Sequence, residues 1–124
     1  RMIPQAALEA YFAYFQACTA IHLTSDAGVP TDLTNSLASE TISGADFTVS
    51  DEGSGVYRLT VAAQNGVTVS ADGTTAHAVL AYFDDPTWSI RLVTECSARA
   101  VSNTDGDLVN MSEFYLEVSA PTAP

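Results

Sequence analysis

Two histidines, two cysteines and fifteen acidic side chains are the residues of this chain whose chemistry could support catalysis or metal binding. His22 and His77 each lack a second imidazole or a cysteine at ligand spacing, and a single histidine on a strand is typical of a hydrogen-bonded structural residue. No G-x-S-x-G turn presents a nucleophilic serine. Because the chain contains no lysine, a phosphate-binding P-loop is excluded. We therefore expect no enzymatic activity and no cofactor.

Acidic residues cluster at Asp84-Asp85 and at Asp105-Gly106-Asp107, where they could offer oxygen ligands to Ca²⁺. Neither cluster belongs to a complete calcium-binding loop with its closing glutamate, so we interpret both as solvated turns and predict no metal site. Paired carboxylates for sugar hydrolysis stay open, because any two of the acids can meet in space and no pattern selects a pair.

The two cysteines, Cys18 and Cys96, allow one disulfide at most. The first lies at the end of the expected helix and the second inside an expected strand, with no C-x-x-C or Cys/His ligand spacing. We expect two reduced thiols that behave as small buried apolar side chains. The alternative is a disulfide that joins the first element to the sheet.

Charge and composition exclude several classes of partner. Fifteen Asp and Glu residues against four Arg give a formal net charge of -11, whereas nucleic acids and anionic membranes are bound through Lys and Arg. No apolar run approaches the roughly 20 residues that span a bilayer, and the N-terminus lacks the basic and apolar regions of a signal peptide. We expect one domain over residues 1–124, no nucleic acid, no membrane partner and no secretion.

One helix is expected at the N-terminus, over about residues 4–19. Apolar side chains recur at the helical spacing of one buried stripe: Leu8, Tyr11, Phe12 and Phe15. Pro4 suits the first turn, where its missing N–H is not needed. Tyr14 falls off the stripe, which makes it either a partly covered surface residue or a contact residue.

Alternation of apolar and polar residues predicts strands over most of the remaining chain. It is clearest in residues 56–63, 67–71, 90–98 and 108–118, and short strands are also expected at 21–24 and 45–50. Ala78–Phe83 is apolar on both parities, which fits a central strand covered on both faces.

Turn residues separate these strands at regular intervals. Asn65-Gly66 is the strongest signal for a two-residue hairpin, and further turns are expected at 71–75, 84–87 and 103–107. The fold class is therefore mainly β, a small antiparallel β-sandwich or barrel with one N-terminal helix and a β core over about residues 45–119.

Residues 29–44 are rich in Thr and Ser and show no sustained period. We interpret them as an ordered loop or a flexible arm that reaches a neighbouring molecule, so its deletion should leave the domain folded and weaken attachment. Trp88 follows a predicted hairpin tip, where it either forms a surface anchor or packs under its own hairpin. The candidate interface residues are Tyr11, Tyr14, Pro30, Leu33, Leu37 and Trp88.

Five segments carry a resemblance to a known family: Ala45–Asp51, Leu59–Val69, Gly73–Leu80, Leu92–Cys96 and Phe114–Val118. A threonine-rich turn leads through His77 into an apolar strand and an acidic turn, and a later strand ends in a threonine and cysteine pattern. Over residues 45–120 this order resembles a family of small virion-associated proteins of tailed bacteriophages. The chain departs from that pattern by an insertion at residues 85–88, and the shared motifs are structural rather than catalytic.

The resemblance implies a capsid decoration or cement protein on the outer surface of the virion. Its partners would be the major capsid protein and copies of itself, as a homotrimer closed by head-to-tail contacts at a three-fold site. Acid-rich loops would face solvent, while the helix or residues 29–44 would face the shell or a sister subunit. Two alternatives stay open, namely a tail or fibre component and a carbohydrate-binding β-sandwich that uses Trp88 as a stacking platform.

Overall fold

The structure, a computed structural model, describes residues 5–119 and is mainly β, with one N-terminal helix and antiparallel sheets packed as a small sandwich. This confirms the predicted fold class in its sandwich form, since the sheets do not close into a barrel. The elements in chain order are α1 (Gln5–Gln16), β1 (Ala20–Thr24), β2 (Ser36–Thr41), a 3₁₀ turn (Gly44–Asp46), β3 (Phe47–Gly53), β4 (Val56–Val61), β5 (Gln64–Thr68), β6 (Gly73–Thr74), β7 (His77–Asp84), β8 (Thr87–Glu95), β9 (Ala100–Val101), β10 (Leu108–Met111) and β11 (Phe114–Ser119).

Helix α1 ends earlier than the sequence predicted, while Pro4 lies outside the described residues. The helix stops because the backbone N–H of Thr19 donates to the carbonyl of Ala81 at 3.0 Å, which commits the chain to the sheet. The contact of the helix with the core is also narrower than predicted, because only Leu8, Phe12 and Phe15 of the predicted stripe are buried. Tyr11 is 46% exposed, so its predicted burial is wrong. The three apolar residues at i, i+4 and i+7 already fill the contact, and the tyrosine ring lies at its margin.

The larger sheet has four strands in the order β2-β1-β7-β8, all antiparallel. Strand β7 is central as predicted, and both of its faces are buried from Ala78 to Ala81. The prediction fails at the end of the strand, because Phe83 is 40% exposed. The inward face of this sheet contributes Ile21 and Leu80 to the core. No helix among residues 5–119 is long and apolar enough to cross a membrane.

Residues 36–41 form strand β2, which corrects the interpretation of residues 29–44 as one loop or arm, whereas residues 29–35 form a loop as predicted. Strand β2 pairs with β1 along its length, and the side chains of Leu37 and Ala38 are 3% and 0% exposed. Pro30 is also buried, and Leu33 is half-buried. The sequence hides this strand because only two of its six side chains are buried, so Ser, Thr and Glu dominate its composition.

The smaller sheet has three strands in the order β11-β4-β3. Its strands continue past a break into the two-stranded β10-β5 sheet, which an isolated bridge between Ala38 and Val69 links to β2. The predicted strand over 108–118 is therefore two strands, β10 and β11. Apolar side chains of the three-stranded sheet meet those of the larger sheet and α1 in one core, to which Phe47, Leu59 and Val61 contribute.

The predicted hairpin at Asn65-Gly66 is wrong, because both residues lie inside β5 and pair with β10. Gly66 has a φ of 67° at a β-bulge opposite Asn110, whose side-chain Oδ1 accepts the Gly66 N–H at 2.9 Å. The positive φ therefore serves a bulge rather than a turn. By contrast, the turn at residues 103–107 is confirmed, with the Gly106 N–H donating to the Asn103 carbonyl at 3.0 Å.

The remaining turns are confirmed in part. The predicted turn at 71–75 contains the short strand β6, which pairs with β9. Strand β3 continues to Gly53, beyond the predicted end of that strand at residue 50, and leaves Ser54-Gly55 as the turn. The turn at 84–87 connects β7 and β8 through two residues, Asp85 and Pro86.

Candidate interaction surface

The outer faces of the two larger sheets differ in chemistry. On the three-stranded sheet, the Arg58 guanidinium donates to the Glu117 carboxylate at 2.7 Å and lies 3.4 Å from the Glu52 carboxylate. The same guanidinium lies 4.0 Å from the centre of the exposed Tyr115 ring. Charged and polar groups thus satisfy one another here, as on an ordinary solvated face.

The outer face of the four-stranded sheet carries aromatic side chains instead. Phe83 and Trp88 are directly opposite each other across the β7–β8 turn, so their side chains lie on the same face. Their ring centres are 4.9 Å apart, and the two side chains are 40% and 43% exposed. Trp88 is therefore exposed at the surface and also packs against its own hairpin, so each of the two predicted alternatives holds in part.

Trp88 reaches from the edge of the sheet toward β1. Its ring centre is 6.0 Å from that of His22 and the two planes are nearly perpendicular, although β7 lies between their strands. On β7, Ala81 lies between Val79 and Phe83, which are the strand partners of His22 and Trp88, and it is 0% exposed. We call the resulting surface the outer β7–β8 face and define it by His22, Phe83, Trp88, Ile90 and Val93.

His22 gives this face an uncharged polar group. Its Nδ1 is 2.8 Å from the Ser36 hydroxyl oxygen, while Nε2 is buried without a hydrogen-bond partner among the described residues. Burial lowers the pKa of His22 below its ordinary value of 6.5, because the charged imidazolium loses solvation. The neutral ring therefore prevails at physiological pH and adds to the apolar character of the surface.

The predicted interface residues do not come together. Tyr14 is 50% exposed and belongs to a separate stack, in which the Arg91 guanidinium lies 4.2 Å from the Tyr14 ring centre and 3.9 Å from that of Tyr82. Tyr11 and Tyr14 each pack edge-on against the ring of Phe15 on α1, with ring centres 5.3 Å apart in both pairs. Only Trp88 lies on the outer β7–β8 face, since Pro30, Leu33 and Leu37 are covered to different extents by their own chain.

The two histidines and the two cysteines are the sequence's candidates for catalysis and metal binding. His77 is buried with its Nδ1 3.1 Å from the Asp26 carbonyl, so both histidines are hydrogen-bonded as expected. Cys18 and Cys96 are free thiols, and burial raises the pKa of Cys18 to about 11 and also raises the pKa of Cys96, which opposes thiolate formation. No group of three or more His, Cys, Asp or Glu in residues 5–119 could hold a metal ion.

Sequence reasoning missed most of the outer β7–β8 face. It interpreted the double parity of Ala78–Phe83 as burial on both sides, and it treated Trp88 alone. The signal was nevertheless present, because a two-residue turn at Asp85-Pro86 makes Phe83 and Trp88 cross-strand partners. His22 could not be placed on this face without the pairing of β1 to β7. Comparison of the chain with protein-family models, curated proteins and solved structures gave no match.

Proposed function

We propose that this chain is a virion structural protein that decorates the outer surface of a bacteriophage capsid and braces neighbouring major capsid subunits. The observation that carries the proposal is the contrast between an apolar outer β7–β8 face and a polar face on the other sheet. Such one-sidedness is typical of a domain that is fixed to a larger body on one side and solvated on the other. The sequence resemblance to small virion proteins supports the same assignment.

Attachment through this face would draw its energy from a small aromatic centre. Exposed aromatic residues that become fully desolvated are the usual energetic anchors of interfaces. Phe83 and Trp88 are both about half covered in the isolated chain, so each retains apolar area to bury against a partner. The neutral His22 beside them adds little desolvation cost.

The charge of the molecule favours a position outside the shell. A net charge of -11 repels packaged DNA, so an interior location is unfavourable. We propose a trimer at three-fold sites of the lattice, because head-to-tail contacts close into a ring there. A protein that binds only the assembled shell stabilises it by mass action.

The test combines copy number with a matched pair of variants. Quantitative mass spectrometry of virions should give hundreds of copies per particle, whereas tens or fewer would indicate a tail or fibre component. Recombinant protein added to stripped capsids should bind less tightly after Trp88→Ala, by roughly 2 kcal/mol or about 30-fold in Kd. Tyr115→Ala removes a somewhat more exposed aromatic from the polar face and should bind as wild type. Equal binding of both variants would contradict the proposal.

Carbohydrate binding through Trp88 is a second candidate, favoured by the exposure of its indole. However, the Phe83 ring is inclined at 47° and the His22 ring at 79° to the indole, so the cluster does not form a flat stacking platform. Binding of purified protein to a glycan array, lost in Trp88→Ala, would favour this function over attachment to a shell.

A further inference from the structure

A cleft opens where the sandwich fails to close. Strand β8 is the last strand of its sheet and β10 is the last strand of the β10-β5 sheet, and in the described chain neither has a partner on its outer side. Between them lies a cleft of about 600 Å³. In a closed barrel the two strands would be joined, so the cleft occupies the position of a missing strand.

The floor of the cleft is apolar and its rim is polar. Ile21, Leu23 and Val109 line it from below, and all three belong to the hydrophobic core. Glu95 and Glu113 lie at its mouth with Arg99, which leaves the rim with an excess of negative charge. A concave site of this size with a few polar groups is typical of a binding site.

The backbone of β8 is oriented for pairing. The Cys96 N–H donates to the Ala76 carbonyl at 3.0 Å, so this residue points toward β7. Because backbone groups of successive residues point to opposite edges of a strand, the N–H and C=O groups of Val93 and Glu95 point outward. Just before β10, the Asp107 carbonyl accepts the Val69 N–H at 3.1 Å and so points toward the β5 side. By the same alternation, the N–H and C=O groups of Asn110 point away from β5.

We propose that this cleft binds an extended, basic peptide segment of a partner protein, which pairs with the free edge of β8 as an added strand. Main-chain hydrogen bonds to Val93 and Glu95 would supply affinity, and the apolar floor would take alternate side chains of the segment. Basic residues of the segment would face Glu95 and Glu113. A second copy of this chain is the less favourable occupant, because the acidic rim favours basic residues and the chain contains only four arginines and no lysine.

This inference goes beyond the decoration function and does not depend on it, because the cleft and the outer β7–β8 face involve different side chains. The two can therefore fail separately. Trp88→Ala should leave peptide binding unchanged, whereas a block at the edge of β8 should leave the outer β7–β8 face intact.

Cys96 provides a reporter in the wild-type protein, because its thiol lines the cleft while Cys18 is buried in the core. The probe is a capped heptapeptide of alternating valine and lysine. At saturation it should slow the modification of Cys96 by a thiol reagent several-fold and slow amide hydrogen exchange at Val93 and Glu95. Matched control peptides are of two kinds. One carries glutamate in place of lysine. The other kind is N-methylated at every second amide, and two such peptides, one for each choice of alternate amides, cover both frames.

Variants distinguish pairing from nonspecific adhesion. Glu95→Pro removes an outward N–H without removing a bond to β7, so it should fold and lose peptide binding. Glu113→Lys leaves the backbone intact and should weaken binding of the lysine peptide, which keeps the test valid even if the proline variant misfolds. Equal protection by the glutamate peptide, equal protection by both N-methylated frames, or no protection at all would overturn the proposal. Protection that grows with protein concentration without peptide would identify a second copy as the occupant and overturn it as well.

Discussion

The burial of His22 makes the stability of the folded chain depend on pH. The pKa of this histidine is lowered in the folded state, so between that value and 6.5 the unfolded chain binds more protons than the folded one. The stability contributed by the neutral ring is therefore complete above pH 6.5 and is lost as the pH falls through the folded pKa. We expect His22→Gln to reduce this loss, measured as the difference in unfolding free energy between pH 7.5 and pH 5.5 by urea titration. An unchanged difference in the variant would contradict the assignment.

The two thiols should differ in reactivity. Cys18 is fully buried with a pKa raised to about 11, whereas Cys96 is half-buried beside the cleft. Since the thiolate is the reactive form, a thiol reagent at pH 8 should modify Cys96 first and Cys18 only on unfolding. Mass spectrometry of the modified peptides measures the order. Because both are free thiols, a reducing agent should leave the melting temperature unchanged, and a fall of many degrees would reveal a disulfide.

The β-bulge in β5 depends on the positive φ of one residue, Gly66. Gly66 has a φ of 67°, and no atom lies within 4 Å of the position that a Cβ would take. A larger residue is therefore disfavoured only by the left-handed backbone conformation. Gly66→Ala should reduce the unfolding free energy by roughly 1–2 kcal/mol. Gly28→Ala is the matched control, because its surroundings are equally open and its φ is not positive. Equal stability of the two variants in denaturant titration would show that the strain at residue 66 is relieved by local movement.

Strand β2 should be structural rather than an attachment arm. Leu37→Ala is expected to cost about 2–5 kcal/mol, because it empties a buried site in the core. Val29→Ala, in a side chain that is 72% exposed, should change stability by no more than about 0.5 kcal/mol. Deletion of residues 29–44 should abolish the β-type circular dichroism spectrum. A folded deletion product would restore the interpretation of this segment as an arm.

Local patterns predicted the elements that carry their own periodicity. Helix α1 and strand β7 could be recognised because apolar residues recur at the helical spacing or fill both parities of the strand. Strand β2 and the pairing of β5 with β10 could not, since both depend on partners that are distant in sequence. The same limit applies to the candidate surface. Trp88 was identifiable from its turn, whereas His22 joins it only through the register of β1 and β7.

The β-sandwich presents three surfaces that differ in the chemistry of their side chains. The polar face carries the Arg58 network, the outer β7–β8 face carries the aromatic cluster, and the open cleft lies between the sheet edges. The separation follows from the topology, because the sheet that ends at β8 presents both an outer face and a free edge.

The net charge of the chain determines how its thermal stability responds to salt. Fifteen acids against four arginines repel one another in the compact state, and this repulsion is screened by salt. Raising the ionic strength from roughly 0.01 M to roughly 0.1 M shortens the Debye length from about 30 Å to about 10 Å, so the melting temperature should rise. Sodium chloride and sodium sulfate at equal ionic strength should act alike, which separates screening from salt-specific effects. Asp84→Asn removes an acid beside Asp85 and should raise the melting temperature at low salt, whereas Glu117→Gln removes the partner of Arg58 and should lower it. A melting temperature that falls as salt is added would show that attractive pairs, rather than the excess of acids, dominate the electrostatics of the folded chain.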